Sequence, residues 1–288
     1  MPATTTATVT SCANCGTALQ GAYCHSCGEK RLGYHDYALG HFLEHAVDTT
    51  THFDFKVLKG MWSLLARPGR MTADILRGRR VPWPKPLQLF LIANLLFVFV
   101  AHRIGLKIFN TPLNYHLDNW YGRWALEQIN NLTIRRKTSA AQLTEQFNHL
   151  ADVLSKSLIF VFIPLVALAL AALLWRRRRY YLEHVVTATH YMSLLLLLQL
   201  LMVGPVLLLL QAAPYVLGRP LTYSESDQTI GVLMLLALTG WGYGLLRRTY
   251  GGGRWLPLLQ ALGLSLVFAW LLISVYRPFL FLVTYLLL

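Results

Sequence analysis

The four cysteines of the chain fall into two matched pairs, Cys12-x2-Cys15 and Cys24-x2-Cys27, with eight residues between the pairs. A C-x2-C pair brings two sulfurs to one tight turn, and two such turns can surround one ion with a tetrahedron of thiolates. Gly16 and Gly28 each follow the second cysteine of a pair, where a left-handed residue lets the turn's amides point back at sulfur. The chemistry predicted is the binding of one zinc ion by Cys12, Cys15, Cys24 and Cys27. Four protein ligands close the shell and leave no position for water, so such a site is structural and not catalytic. It would clip together a ribbon too small to build a core. Residues 17–23, TALQGAY, read as a small hairpin between the pairs, turning at Gly21. A cytoplasmic N-terminus is reducing, which favours metal over disulfides.

Three other groups carry candidate chemistry. His41-Phe42-Leu43-Glu44-His45 matches the H-x-x-E-H pattern of inverted zinc peptidases, in which two histidines bind zinc and the glutamate activates water. No glutamate lies between Glu44 and Glu127 to act as a further ligand, and the same letters form the polar face of an amphipathic helix over 38–48. His41 and His45 are therefore kept as a candidate second metal or polar site, and peptidase chemistry ranks third among the functions considered. His184 and His190 lie in an apolar run, where ionisable groups are functional candidates. For His190 a packing role is preferred, through a hydrogen bond involving Thr187 or Tyr191. Arg176, Arg177, Arg178 and Arg179, followed by two tyrosines, suit orientation at a membrane interface and contact with lipid headgroups.

The elements that must position these groups are set by hydropathy. The 288 residues are 55% hydrophobic and only 14% charged, where an ordinary soluble domain carries about 25% charged residues. The expected fold class is an all-α integral membrane protein with about five transmembrane helices and a small N-terminal zinc-ribbon module holding the four cysteines. The spans are placed at about 86–106, 157–175, 185–211, 228–246 and 255–276. Gly204-Pro205 is expected to kink the third, and 278–288 to lie at an interface, re-enter, or pack on neighbours. Residues 1–11 read as a disordered N-terminus, 12–30 as the ribbon and 31–85 as amphipathic cytosolic helices next to the membrane. Residues 86–288 read as the membrane domain, with an extracytoplasmic segment at about 107–156.

Basic residues cluster before the first span, between the second and third, and between the fourth and fifth, whereas residues 211–227 hold only Arg219. Lys and Arg stay on the cytoplasmic side, so the N-terminus is expected inside and the C-terminus outside. The start, MPATTTATVT, lacks the pattern of a secretory leader. The net charge of +13 abuts membrane spans with no recognition helix beside it, so nucleic acid is not an expected partner.

Residues 54–66 then read as a helix at the cytoplasmic lipid surface, with Phe55, Leu58, Met61, Trp62 and Leu65 on one face and Lys56 and Lys59 beyond. A turn follows at Pro68-Gly69. The order of the cysteine pairs, the Leu65–Gly69 segment, Gly78-Arg79-Arg80 and the block YYLEHVVTATHYMS at 180–193 resembles an uncharacterised bacterial integral-membrane family, domain-of-unknown-function family 3667. The resemblance implies an N-terminal zinc ribbon and several spans in a bacterial inner membrane, and brings no reaction or substrate with it. The function expected is a non-enzymatic scaffold or adaptor. Its zinc ribbon would meet a cytosolic protein or another copy of the chain, and its spans would contact membrane lipids. The alternative is a small-molecule or lipid transporter with a cavity near Asn94, His190 and Gln199, although no inverted repeat supports it.

Overall fold

The computed structural model describes residues 11–31, 55–104, 109–177, 180–219 and 223–288. Beyond the cysteine-rich segment these residues are helical. Helices α1 (Phe55–Ala66) and α2 (Arg70–Leu76) precede α3 (Pro86–Arg103), whose proline at the first turn gives up an amide that has no helical partner there. Next come α4 (Leu113–Leu117), α5 (Gly122–Arg136) and α6 (Ala140–Leu158), the last capped by Ser139, whose Oγ accepts from the Gln142 amide at 3.2 Å. A 3-10 turn leads from α6 into α7 (Phe162–Leu173). Then follow α8 (Tyr181–Leu217), α9 (Tyr223–Tyr250) and α10 (Trp255–Leu271). A π-helical turn at Leu272–Tyr276 joins α10 to α11 (Arg277–Leu287).

Among the described residues five helices are long and apolar enough to cross a membrane: Pro86–Arg103, Ala140–Leu173, Tyr181–Val216, Thr229–Tyr250 and Trp255–Leu287. Leu95, Phe99, Leu168, Leu208, Leu236 and Trp270 stand outward from them, an apolar surface that water would not tolerate and lipid would. Two helices differ from the hydropathy reading. The second begins at Ala140, well before 157, because the polar α6 runs on into the apolar α7. The fifth does not stop near Arg277. It continues through the π turn, and α11 packs on α6 and α4, the last of the three arrangements expected for 278–288. The third is helical through both Pro205 and Pro214.

Helix α8 is the axis of the bundle. Every residue from Leu182 to Gln199 is buried, against α3, α7, α9 and α1. The helices before the first span are part of this core. Val57, Met61 and Leu64 of α1, and Met71 and Ile75 of α2, are buried with the span residues, while Phe55, Leu58 and Trp62 point outward. The turn between α1 and α2 meets α9 at very short range. Gly69 has φ +86°, and a Cβ added there would lie 2.6 Å from the Leu245 carbonyl oxygen. A Cβ at Gly244 would lie 2.7 Å from Pro68 Cγ. Trp241 Nε1 donates to the Leu65 carbonyl at 2.7 Å, and Arg248 donates to the Pro68 carbonyl at 2.7 Å. Gly244 of the GWGYG stretch thus admits a turn of this chain's own pre-span segment.

At the other end α4, α5, α6 and α11 enclose a second core of Leu113, Tyr121, Ile129, Leu143, Phe147 and Phe281. His116 sits fully buried within it, Nδ1 2.6 Å from Tyr121 Oη and its ring against Phe147 and Phe281. Burial, helped by the charge of Arg277, pushes its pKa down to about 4.

Two expectations follow. Gly69→Ala should lower the melting midpoint of the detergent-purified protein, since left-handed backbone alone costs about 1–2 kcal/mol and the carbonyl contact adds to it. Gly240→Ala, with no atom near its added Cβ, should not lower it; equal midpoints for the two variants would contradict the close-packed turn. For His116 the folded form resists protonation while the unfolded form accepts it. Stability of the second core should therefore fall as pH drops from the ordinary 6.5 toward 4, by at most about 1.4 kcal/mol per pH unit. Hydrogen exchange at the Phe147 amide, corrected for intrinsic rates, reads this loss, and His116→Phe should remove the pH dependence.

Candidate metal centre

The cysteine-rich segment is one turn built twice. In the first copy the Cys12 amide donates to the Thr17 carbonyl at 2.8 Å and the Gly16 amide to the Cys12 carbonyl at 2.9 Å. In the second the Cys24 amide donates to Glu29 and the Gly28 amide to Cys24, both at 2.9 Å. Gly16 (φ 78°) and Gly28 (φ 74°) make the left-handed step that reverses each turn. Each copy closes on itself through one antiparallel bridge, Ser11 with Ala18 and Tyr23 with Lys30. The ladder expected across 17–23 is not what forms. Pairing stays inside each copy because the glycine step already brings its two ends together.

These turns gather the four sulfurs within 4.8 Å of one another, with Cys12 and Cys27 Sγ 3.6 Å apart and Cys15 and Cys24 Sγ 3.5 Å apart. A tetrahedral zinc with bonds of about 2.3 Å has sulfurs about 3.8 Å apart, so the four donors fit one such ion. Thr17 Oγ1 lies 3.2 Å from Cys15 Sγ, and hydrogen bonding with Thr17 holds this thiol down at about 6, whereas Cys27 beside it is pushed up to about 11 by burial and by its sulfur neighbours. Among the described residues these cysteines are the group of His, Cys, Asp and Glu side chains placed to hold an ion.

The segment is fastened to the stretch that leads into the first long helix. Glu29 is buried, and its Oε2 accepts from the amides of Arg80 at 2.8 Å and Val81 at 3.0 Å. Arg79 Nε donates to the Ala13 carbonyl at 2.9 Å. Each copy of the turn thereby holds one side of the Gly78–Val81 stretch. Sequence reading passed over Glu29; its only signal is that it is a lone carboxylate in an otherwise basic neighbourhood. Below the clasp Trp83 Nε1 donates to Asp74 Oδ2 at 3.1 Å, and Lys59 lies 4.7 Å over the Trp83 ring.

The remaining sequence candidates are placed as follows. His41 and His45 lie outside the described residues, as do Arg178 and Arg179. Arg176 lies over the Trp175 ring at 5.5 Å, and Arg177 closes the short 3-10 helix with it. His184 and His190 are both buried in α8 but take separate partners. Tyr250 Oη donates to Thr187 Oγ1 at 3.0 Å, so its lone pair receives His184 Nδ1 at 3.1 Å. His190 Nδ1 pairs with Thr72 of α2 at 2.9 Å, and neither Thr187 nor Tyr191 serves it. Thr187 is held instead by Tyr250 and its own helix. His190 Nε2, Asn94 Oδ1 and Gln199 Oε1 are buried without a hydrogen-bond partner among the described residues.

Two comparisons find nothing similar: no curated protein and no solved structure matches the chain. A third finds that residues 54–98, which hold α1, α2, the clasped stretch and most of α3, match the model of a family described as a protein of unknown function (DUF3667).

Proposed function

We propose that the chain is a multi-pass protein of a bacterial inner membrane that acts as a non-enzymatic scaffold. Its N-terminal ribbon, folded by one structural zinc on Cys12, Cys15, Cys24 and Cys27, forms a platform at the cytoplasmic face for a cytosolic protein. The observation that carries this reading is the clasp. Glu29 and Arg79 tie the ribbon to the stretch leading into the first span, so whatever binds the ribbon is held in fixed relation to the membrane. The zinc would order the turns and hold the clasp residues in place, with no step of chemistry asked of it. The N-terminus is placed in the cytoplasm because the pre-span segment and the end of α9, both rich in arginine, meet at one end of the bundle. Tyr23 and His25 stand exposed on the ribbon, where a partner can reach them.

Metal analysis of detergent-purified protein tests the reading. One zinc per chain is expected, lost in Cys12→Ser/Cys15→Ser and kept in His41→Ala/His45→Ala. Glu29→Ala should keep the zinc yet speed hydrogen exchange at the Arg80 and Val81 amides that donate to it, since a charged group's hydrogen bonds contribute about 1.5–3 kcal/mol. A second zinc lost with the histidines would favour the peptidase reading, and protein free of zinc would sink the clip.

The orphaned atoms of Asn94, His190 and Gln199 favour a second reading, transport of a polar solute or lipid, because buried polar atoms without partners cost about 1–3 kcal/mol each. Asn94→Leu and Gln199→Leu distinguish the two. In a scaffold they should raise or preserve the melting midpoint and leave solute flux in proteoliposomes at background for both forms, whereas a transporter should lose flux.

A further inference from the structure

Where the pre-span segment meets the end of α9, three arginines of that segment converge with one from α9. Arg67, Arg70, Arg77 and Arg248, with Ala73 and Asp74, line a groove of about 280 Å³. Arg67 and Arg70 flank the Pro68-Gly69 turn, Arg77 caps the end of α2, and Arg248 comes from the last turn of α9. Among the described residues none of the four is in an ion pair. The one carboxylate in the groove, Asp74, already accepts from Trp83 Nε1. Two other nearby arginines are used elsewhere: Arg79 reaches the ribbon, and Arg247 donates to Tyr243 Oη at 2.8 Å.

The backbone beneath these side chains is rigid. Gly69 lies directly against the backbone of Leu245, Gly244 admits Pro68, and Arg248 spans the gap to the Pro68 carbonyl at 2.7 Å. Converging positive charges on a fixed frame are unfavourable until an anion joins them, and guanidinium forks match phosphate oxygens two at a time. Apolar Trp62 stands exposed on the adjoining α1, at the level where a bilayer's headgroups meet its chains if the spans cross as proposed. We infer that the groove of Arg67, Arg70, Arg77 and Arg248 binds a phosphate group, carried by an anionic lipid headgroup or by a free phosphate. This goes beyond the scaffold reading and does not depend on the ribbon binding zinc.

The test uses the full-length protein in detergent and Arg70→Gln/Arg77→Gln, whose exchanged side chains are exposed and make no hydrogen bond to the described residues. Native mass spectrometry with added phosphatidic acid or phosphatidylcholine reads lipid binding, and the melting midpoint in rising inorganic phosphate reads the free anion. Retention of phosphatidic acid over phosphatidylcholine, weakened about tenfold or more in the variant, supports a headgroup site. A midpoint raised by inorganic phosphate in wild type alone supports a free-phosphate site. Equal responses of wild type and variant in both arms overturn the proposal. Arg123→Gln, exposed on α5 and outside the groove, should behave as wild type, and an equal loss there would also overturn it. If the double variant melts early without ligand, Arg67→Gln replaces it in the same two arms.

Discussion

Helix α8 has no exposed residue between Leu182 and Gln199, and a helix wrapped on all sides must find its polar partners inside the protein. Its hydroxyls and the two histidine Nδ1 atoms do so in two ways, while His190 Nε2 and Gln199 Oε1 find none among the described residues. Thr187, Thr189 and Ser193 return their hydroxyls to carbonyls one turn earlier in the helix. His184 and His190 reach outward, to Tyr250 of α9 and Thr72 of α2. The second bond explains why a short helix ahead of the first span belongs to the core: α2 lies against α8 and α9 and completes their burial. A pre-span segment lying only on lipid would leave His190 with neither ring nitrogen satisfied.

That segment is the hinge of the architecture. One side, Gly78–Val81, is gripped by the ribbon through Glu29 and Arg79. The other side, Leu65–Gly69, is gripped by α9 through Trp241, Gly244 and Arg248. Side-chain donors meet backbone acceptors in most of these contacts, so their strength depends on the exact path of the chain and less on which residues lie nearby. The same geometry sets the spacing of the arginines around the groove. The residues matched to the family of unknown function run from α1 through most of α3, so the matched stretch is the one that both gripping partners hold.

The opposite end uses other means. Long helices α6 and α11 are continuations of the second and fifth apolar helices, and they carry the core around His116 outward as one piece with the bundle. The π turn at Leu272–Tyr276 adds a residue to one helical turn, and Tyr276 within it donates to the Ser155 carbonyl at 3.0 Å. The two continuing helices are thereby tied where they leave the apolar region.

Local chemistry in the sequence determined the helical class, the five apolar helices, the basic clusters beside them and the pairing of the four cysteines. Each of these depends on neighbours within a few turns: on apolar residues filling a window, on charge density, or on a two-residue gap that fits one turn. Tertiary structure alone decided that Glu29 would be a buried acceptor, that Thr72 would serve His190 from 118 positions away, and that Gly244 of α9 would admit a turn. It also decided that α6 and α11 would lengthen their spans. An apolar residue reads the same whether lipid or another helix covers it, and a polar one gives no sign of which distant atom will pair with it. Only the packing of α8 and its neighbours settled those pairings, because which distant atom a buried polar group meets depends on what the fold brings within reach.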